Sequence, residues 1–209
     1  MSASAAQRCE QRGLACAAVL GLPATGLPDP VTVQRLHGAV AGGDRPRVAI
    51  VGDSPALERG YGRAGFDPVA AHQDLATLLR EHPVAVLHVR APLTDHHGTP
   101  ALDLETPLTG PGLDRCIPRD VPAPLVVLEA PAEQLFLRNV FAAHLAAVGT
   151  VRAIIATTPT EALPTALRGG GDIYDVTRAI RARGHALTAL FARAPSIRFP
   201  APAPAATRL

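Results

Sequence analysis

Short apolar runs alternate with helical patterns through the middle of the chain. The runs are four to six residues long and nearly free of charge, which is typical of strands buried on both faces of a parallel sheet. They occupy residues 48–51, 84–89, 125–128 and 151–156, and a weaker strand is predicted at 66–71. We therefore expect a sheet built mostly from parallel strands.

Helical spacing fills the intervals between these runs. A helix is predicted to begin at Ser54-Pro55 and to stop at Gly65, because serine and proline favour a helix N-terminus and glycine follows its C-terminus. Further helices are predicted over residues 74–81, 132–148 and 172–192. Residues 94–120 are rich in turn residues, and only 101–104 alternate as an exposed strand does, so we interpret this stretch as an excursion at one edge. The order predicts an α/β fold with helices on both faces of a mostly parallel sheet.

The two ends of the chain differ from this pattern. Residues 1–45 predict an N-terminal helical arm, with an Ala-rich helix over 2–20 and a second helix after Asp29-Pro30. The apolar positions of the arm need a surface to cover, in this domain or in another chain. The α/β domain is predicted over residues 46–199. Residues 200–209 are rich in Pro and Ala and predict a flexible tail.

Composition excludes several classes of protein. The 209 residues are 47% hydrophobic, which is enough for a buried core. The basic residues are all Arg, the formal charge is only +2, and no basic stripe is present, so nucleic-acid binding is not expected. No apolar stretch approaches the ~20 residues of a membrane span. Three cysteines without paired spacing predict a reducing compartment, the cytoplasm, and the Lys-free, Ala-, Pro- and Arg-rich usage is typical of high-GC bacterial coding.

The predicted third strand and the residues after it resemble part of a CHAT domain, a caspase-like peptidase family. In that family the strand ends in a His, three further residues and a His-Gly pair, whose His is the catalytic base, and a short strand follows. His88 matches the first His of this pattern. Pro92 and Leu93 stand where the family has its catalytic His-Gly pair.

The strand predicted at residues 125–128 is similar to the next strand of the family. That strand ends in Asn-Ala-Cys, and its Cys is the nucleophile. Pro131 stands at the position of this Cys. Residues 141–157 resemble the helix and strand that follow in the family, and the whole resemblance covers residues 47–199.

The resemblance implies a caspase-like three-layer fold that has lost its catalytic pair. A cysteine peptidase needs a thiolate beside an imidazole, whereas proline has no ionisable atom and no backbone N–H. We therefore expect a catalytically inactive pseudoenzyme without a cofactor. The resemblance implies that it acts by binding protein as a regulatory or scaffold subunit in a bacterial multi-protein system. The expected homo- or hetero-oligomer would form through a sheet edge or the N-terminal arm.

One alternative is an active cysteine hydrolase that uses a displaced nucleophile. Cys116 could pair with the imidazole of His88, His96 or His97 if the excursion folds back over the sheet. The opposing interpretation is that Cys116 packs as a small hydrophobic side chain. Asp95-His96-His97-Gly98 is interpreted as a solvated turn and not as a metal site, because no second ligand cluster accompanies it.

A second alternative is a domain that binds a small ligand or a nucleotide at its strand ends. Gly52 and Asp53 join a strand to a helix N-terminus, which could hold an anion, and Glu129 ends another strand. No Walker lysine is present, and Ser54 as a helix N-cap explains the same residues. Gly52, Asp53 and Glu129 remain candidates for binding, together with His88, His96 and His97.

Overall fold

The computed structural model describes residues 45–52, 54–71, 74–120, 123–148, 150–151, 153–168, 171–192 and 198–199. The predicted arm up to residue 44, Asp53 and the predicted tail at 200–209 lie outside the described residues.

A six-stranded sheet forms the centre of the fold. The described strands are β1 Arg47–Val51, β2 Asp67–Ala70, β3 Val86–Arg90, β4 Leu93–His96, β5 Thr99–Leu102, β6 Leu108–Thr109, β7 Leu125–Glu129, β8 Ala153–Thr157, β9 Gly171–Asp172, β10 Ala189–Ala192 and β11 Arg198–Phe199. The order across the main sheet is β10-β8-β7-β3-β1-β2. All neighbours in this sheet are parallel except β10, which runs antiparallel to β8. The predicted mostly parallel sheet is confirmed.

Helices cover both faces of this sheet. They are α1 Pro55–Arg63, α2 Leu75–Glu81, α3 Gly110–Cys116, α4 Leu135–Val148, α5 Leu163–Arg168 and α6 Ile173–Ala182. Successive strand residues point to opposite faces, so β1, β3, β7, β8 and β10 each contribute to two apolar cores. One core packs against α2, α3 and α4, and the other against α1, α5 and α6. The helices expected on both faces are present.

Local sequence signals set the bounds of the first two helices. Pro55 is the first residue of α1, where its missing N–H has no cost, and Gly65 follows the helix with a φ of 91°. Asp74 caps α2 by accepting from the N–H groups of Ala76 and Thr77. Both helices match their predicted spans to within two residues at each end.

The excursion after β3 has more structure than predicted. Strands β4, β5 and β6 form a small antiparallel sheet, and α3 follows it. The turn between β4 and β5 places His97 at φ 53° and Gly98 at φ 79°, and the Asp95 carboxylate accepts from the Gly98 N–H at 2.7 Å. Two positive φ values are typical of a tight hairpin turn. The sequence interpretation had a turn at these residues but not the two strands that it joins. The strand predicted as exposed is also buried, since Ala101 and Leu102 are fully covered.

The prediction of one last helix over residues 172–192 is wrong. Helix α6 ends at Ala182, and Gly184 follows with a φ of 99°, which turns the chain back. The remaining apolar residues form β10, which extends the sheet beside β8. Among the helices of the described segments, none combines the length and apolar character that a bilayer crossing requires.

Candidate functional site

Polar side chains gather at the carboxyl ends of the central strands, all on one face of the sheet. His88 and Arg90 lie on β3 and Glu129 on β7, and each follows an apolar residue that points to the other face. They therefore share the α1, α5 and α6 face, which carries Val86 and Val127. The carboxyl end of a parallel sheet is where α/β proteins place their sites, so this cluster is the candidate site.

Glu129 is the centre of the cluster. Its side chain is 0% exposed, and its Oε2 lies 2.5 Å from Nε of Arg90 and 3.3 Å from Nε2 of His88. The His88 contact is an ion-pair distance without hydrogen-bond geometry. The second carboxylate oxygen accepts from the backbone N–H of Thr160 at 3.1 Å. A buried carboxylate is stable only when it is compensated in this way.

The opposite side of the His88 ring contacts Tyr61 of α1. The Tyr61 hydroxyl lies 2.8 Å from Nδ1 of His88, and both side chains are fully buried. Burial raises the pKa of Tyr61 well above its ordinary value of 10.0, and the charge of Glu129 adds to the shift against the opposing charge of Arg90. The hydroxyl therefore keeps its proton and can donate it to Nδ1, which leaves Nε2 to face Glu129.

Removal of the Tyr61 hydroxyl should destabilise the fold without changing its shape. We expect Tyr61→Phe to lower the free energy of unfolding by about 1–2 kcal/mol, because Nδ1 of His88 loses its partner inside the core. The edge-to-face contact with Phe66, at a centroid distance of 5.5 Å, is retained. Denaturant unfolding followed by far-UV circular dichroism measures the loss. An unchanged midpoint would contradict the role assigned to this hydroxyl.

Arg90 uses all three of its guanidinium nitrogens within the protein. Besides the Nε contact with Glu129, Nη1 donates to Oγ of Ser54 at 2.9 Å and to Oε1 of Glu161 at 3.2 Å. Nη2 donates to the carbonyl of Thr160 at 3.1 Å. Arg90 therefore ties the end of β3 to the start of α1 and to the loop after β8.

Ser54 does not cap α1 as predicted. It occupies the N-cap position, but its side chain makes no capping hydrogen bond, and its hydroxyl accepts from Arg90 instead. A nucleophilic serine needs a neighbouring base to take its proton, whereas a guanidinium only donates. The contact is therefore one that fixes structure and does not activate Ser54.

The charge of Glu129 should make stability depend on pH. Burial raises its pKa, but the close contact with His88 and the hydrogen bond and charge of Arg90 outweigh burial, and the pKa lies below its ordinary value of 4.5. A lowered folded-state pKa contributes stability that is present above the unfolded pKa and is lost as the pH falls through the folded one. We expect denaturant unfolding between about pH 5 and pH 3 to show a steeper loss for the wild type than for Glu129→Gln. Parallel curves would contradict this.

Gly52 brings the end of β1 against the end of β3. Its φ is 104°, and a Cβ at this position would lie 2.0 Å from the carbonyl oxygen of Arg90. Gly52 and Glu129, two of the predicted binding residues, thus lie on either side of Arg90. The geometry favours a tight backbone contact here, since the side-chain space is filled by protein.

The two prolines of the resemblance follow neighbouring strands. Arg90 pairs with Glu129 across β3 and β7, and Pro92 and Pro131 each come two residues later. The segments that they begin are joined, because the N–H of Leu93 donates to Oε1 of Gln134 at 2.9 Å. The positions that the resemblance assigns to the catalytic base and nucleophile therefore lie at adjacent strand ends. Pro131 also begins a 3-10 helix, Ala132–Gln134, and its carbonyl accepts from Gln134.

The structure does not bring Cys116 and His88 together. Cys116 ends α3 and packs against the core on the α2, α3 and α4 face, whereas His88 faces the opposite core. The thiol donates to the carbonyl of Gly112 at 3.5 Å. Burial raises the pKa of the Cys116 thiol above its ordinary value of 9.0, and Asp74 adds to the shift against Arg115. Cys116 is therefore a protonated, weakly nucleophilic thiol.

His96 and His97 lie on the exposed turn between β4 and β5. Their rings contact each other edge to face with centroids 4.5 Å apart. In the parts of the chain that the structure describes, no group of three or more His, Cys, Asp or Glu side chains could hold a metal ion. The turn therefore belongs to the hairpin, and its imidazoles lie away from the buried cluster.

No family model matches the chain, and the searches of curated proteins and of solved structures also gave no match.

Several members of the cluster were not predicted from the sequence. Arg90, Tyr61, Ser54, Thr160 and Glu161 were not among the candidates, although all of them contact His88, Glu129 or each other. One signal pointed to Arg90, since it ends an apolar strand as Glu129 does. Charged residues at the ends of neighbouring buried strands are expected to pair.

Proposed function

We propose that this protein is a catalytically inactive, CHAT-type caspase-like pseudoenzyme that acts by binding another protein. The observation that carries the proposal is the position of Pro92 and Pro131, two residues beyond the paired ends of β3 and β7. By the CHAT resemblance, these two positions are the ones that hold the general base and the nucleophile in an active family member. Proline can supply neither an imidazole nor a thiolate. The role proposed is that of a regulatory or scaffold subunit in a bacterial multi-protein system.

The polar cluster beside these positions supports the proposal. Glu129 is fully buried and Arg90 has a partner on each nitrogen. A catalytic group needs an unused hydrogen-bonding position directed at the substrate. Glu129 and Arg90 instead direct theirs at each other and at neighbouring protein groups. The cluster is suited to holding the strand ends in place.

The alternative of a hydrolase that uses Cys116 finds little support in the geometry. Its thiol is held protonated by burial and lies on the opposite face from His88. A displaced nucleophile would still need an imidazole within about 3 Å. His96 and His97 lie in the exposed turn that follows β4, at the end of that strand away from β3.

The sheet edges constrain how a partner could bind. In β2 the N–H groups of Asp67 and of the following Ala71 point toward β1, so Pro68 has its nitrogen on the outer side. Proline at this position removes one of the few backbone N–H donors that point outward, so another strand would pair poorly with this edge. At the other edge, residues Ala189, Leu190 and Phe191 are only 3–4% exposed. We therefore place the partner interface on the N-terminal arm, whose apolar residues Val33, Leu36 and Val40 have helical spacing.

The absence of activity can be measured directly. The full chain is incubated with pooled fluorogenic peptides that differ at the residue before the scissile bond, and Cys116→Ala serves as the matched control. We expect no turnover above buffer for either protein. Turnover lost in Cys116→Ala would replace the proposal with the hydrolase alternative, and turnover in both would reveal another nucleophile.

Partner binding needs a separate experiment. The tagged full chain is purified from its host beside the double variant Leu36→Asp/Val40→Asp and the control Gln34→Asp. We expect a stoichiometric partner with the wild type and with Gln34→Asp, and its loss with the double variant. Recovery of the wild type as a monomer without a partner would contradict the proposal. Equal recovery of the partner with all three proteins would show that the arm is not the interface.

A further inference from the structure

Helix α4 is apolar at all but three positions. Its fourteen residues, LFLRNVFAAHLAAV, include only Arg138, Asn139 and His144 as polar side chains. A helix with this pattern is normally buried all round, because an outward face in water is expected to be polar. One face of α4 is nevertheless open.

The buried and open faces of α4 lie on opposite sides of the helix. Phe141, Ala142 and Leu145 are 0% exposed and face the sheet. On the opposite side, an outer stripe consists of Phe136, Val140, Ala143 and Ala147, spaced by four, three and four residues. Phe136 is 76% exposed and Ala147 is exposed, whereas the two central residues are half-buried. This spacing is the seam that two helices use when they pack at a shallow angle.

The outer stripe is complementary to itself when reversed. If two copies of α4 align antiparallel about the midpoint between residues 141 and 142, Phe136 lies opposite Ala147 and Val140 lies opposite Ala143. Each large side chain then meets a small one, which lets the helices approach closely and fill the space between them. We propose that the outer stripe of α4 binds a second copy of this chain in this antiparallel register.

The surroundings of the stripe favour a second copy over a charged partner. The same register places Asn139 opposite His144, and within α4 neither flank of the stripe carries a carboxylate or a guanidinium, although the exposed carboxylate of Glu133 precedes the helix. Antiparallel helices also align the positive end of one macrodipole with the negative end of the other. No like charges oppose each other in this arrangement.

The outer stripe offers a small interface, because Phe136 is its one large and mostly exposed side chain. A concentration-dependent dimer is therefore expected. This inference goes beyond the proposed function and does not depend on it, since α4 could pair whether or not the chain is an enzyme or binds through its arm.

A charge-pair experiment tests both the surface and the register. The full-length chain, Phe136→Lys, Ala147→Glu and the double variant are compared by sedimentation equilibrium up to about 500 μM, a range that resolves weak association. The control is Ala56→Glu, which adds the same charge at an exposed position on α1. Residues 136 and 147 are about 16 Å apart within one helix, so an ion pair between the two introduced side chains of the double variant can form only between copies.

The expected results are specific. Each single variant should raise the dimer Kd by about tenfold or more, because a charge is buried opposite an apolar side chain. The double variant should bind at least about threefold more tightly than either single variant, through two intermolecular ion pairs. Ala56→Glu should match the wild type. A monomeric wild type, or single variants that behave as Ala56→Glu does, would overturn the proposal, and a double variant no better than the singles would overturn the antiparallel register.

Discussion

Replacing Gly52 with alanine is expected to lower the free energy of unfolding by about 4 kcal/mol, the largest effect of any single methyl group in the described part of the chain. Two causes act together. The φ of 104° strains any L side chain, and the added Cβ would lie 2.0 Å from the carbonyl oxygen of Arg90. The ends of β1 and β3 must therefore separate, which also pulls Arg90 away from Glu129. Denaturant unfolding followed by circular dichroism measures the change, since the chain has no Trp.

Two other glycines separate these causes. Gly98 has a φ of 79° but open space around its Cβ position, so Gly98→Ala should show backbone strain alone, about 1 kcal/mol. Gly62 lies inside α1 with nothing within 4 Å, so Gly62→Ala should be neutral or stabilise the helix by up to ~1 kcal/mol. If Gly52→Ala cost no more than Gly98→Ala, the close approach of the two strand ends would be refuted.

Replacing Glu129 with alanine is expected to cost about 3 kcal/mol of stability, because it leaves buried polar groups without their partner. His88 lies in the core, and the N–H of Thr160 loses its acceptor. The cost stays at the lower end of the usual range for buried pairs, since the Arg90 side chain is 20% exposed and retains Glu161. Unfolding by urea at neutral pH gives the value.

Glu161 provides the matched control for this variant. It contacts the same guanidinium as Glu129 does, but its side chain is 59% exposed. Glu161→Ala should therefore change stability by less than about 0.5 kcal/mol. Equal losses for the two variants would mean that Glu129 contributes no more than a surface ion pair, contrary to its burial.

Most of the fold could be predicted from apolar periodicity. Strands buried on both faces produce continuous apolar runs, and Pro55 and Gly65 mark the ends of α1 in ways that depend only on local backbone geometry. The predictions failed where tertiary packing decides between patterns. The residues of β10 could continue a helix as judged from the sequence, and only the free edge of β8 makes them a strand.

The candidate site could be predicted in part. His88 and Glu129 can be identified because each interrupts or ends an apolar run, and burial of a polar side chain requires a partner. Tyr61 could not be predicted, because its partner His88 is 27 residues away in the sequence and the contact exists only when α1 packs on the sheet. Likewise, nothing local indicates that the hydroxyl of Ser54 turns from its own helix to Arg90.

The strand order also has a consequence for how the chain matures on the ribosome. The strands β2, β1 and β3 are complete once residue 90 has emerged, but β7, which supplies Glu129, begins 35 residues later. Until then Arg90 lies at the growing edge of the nascent three-stranded piece, where water solvates its guanidinium. Arrival of β7 brings the carboxylate of Glu129 and a new strand at the same moment. The early and late halves of the sheet should therefore gain stability in a single cooperative step, with little protection of β1 from amide exchange before it.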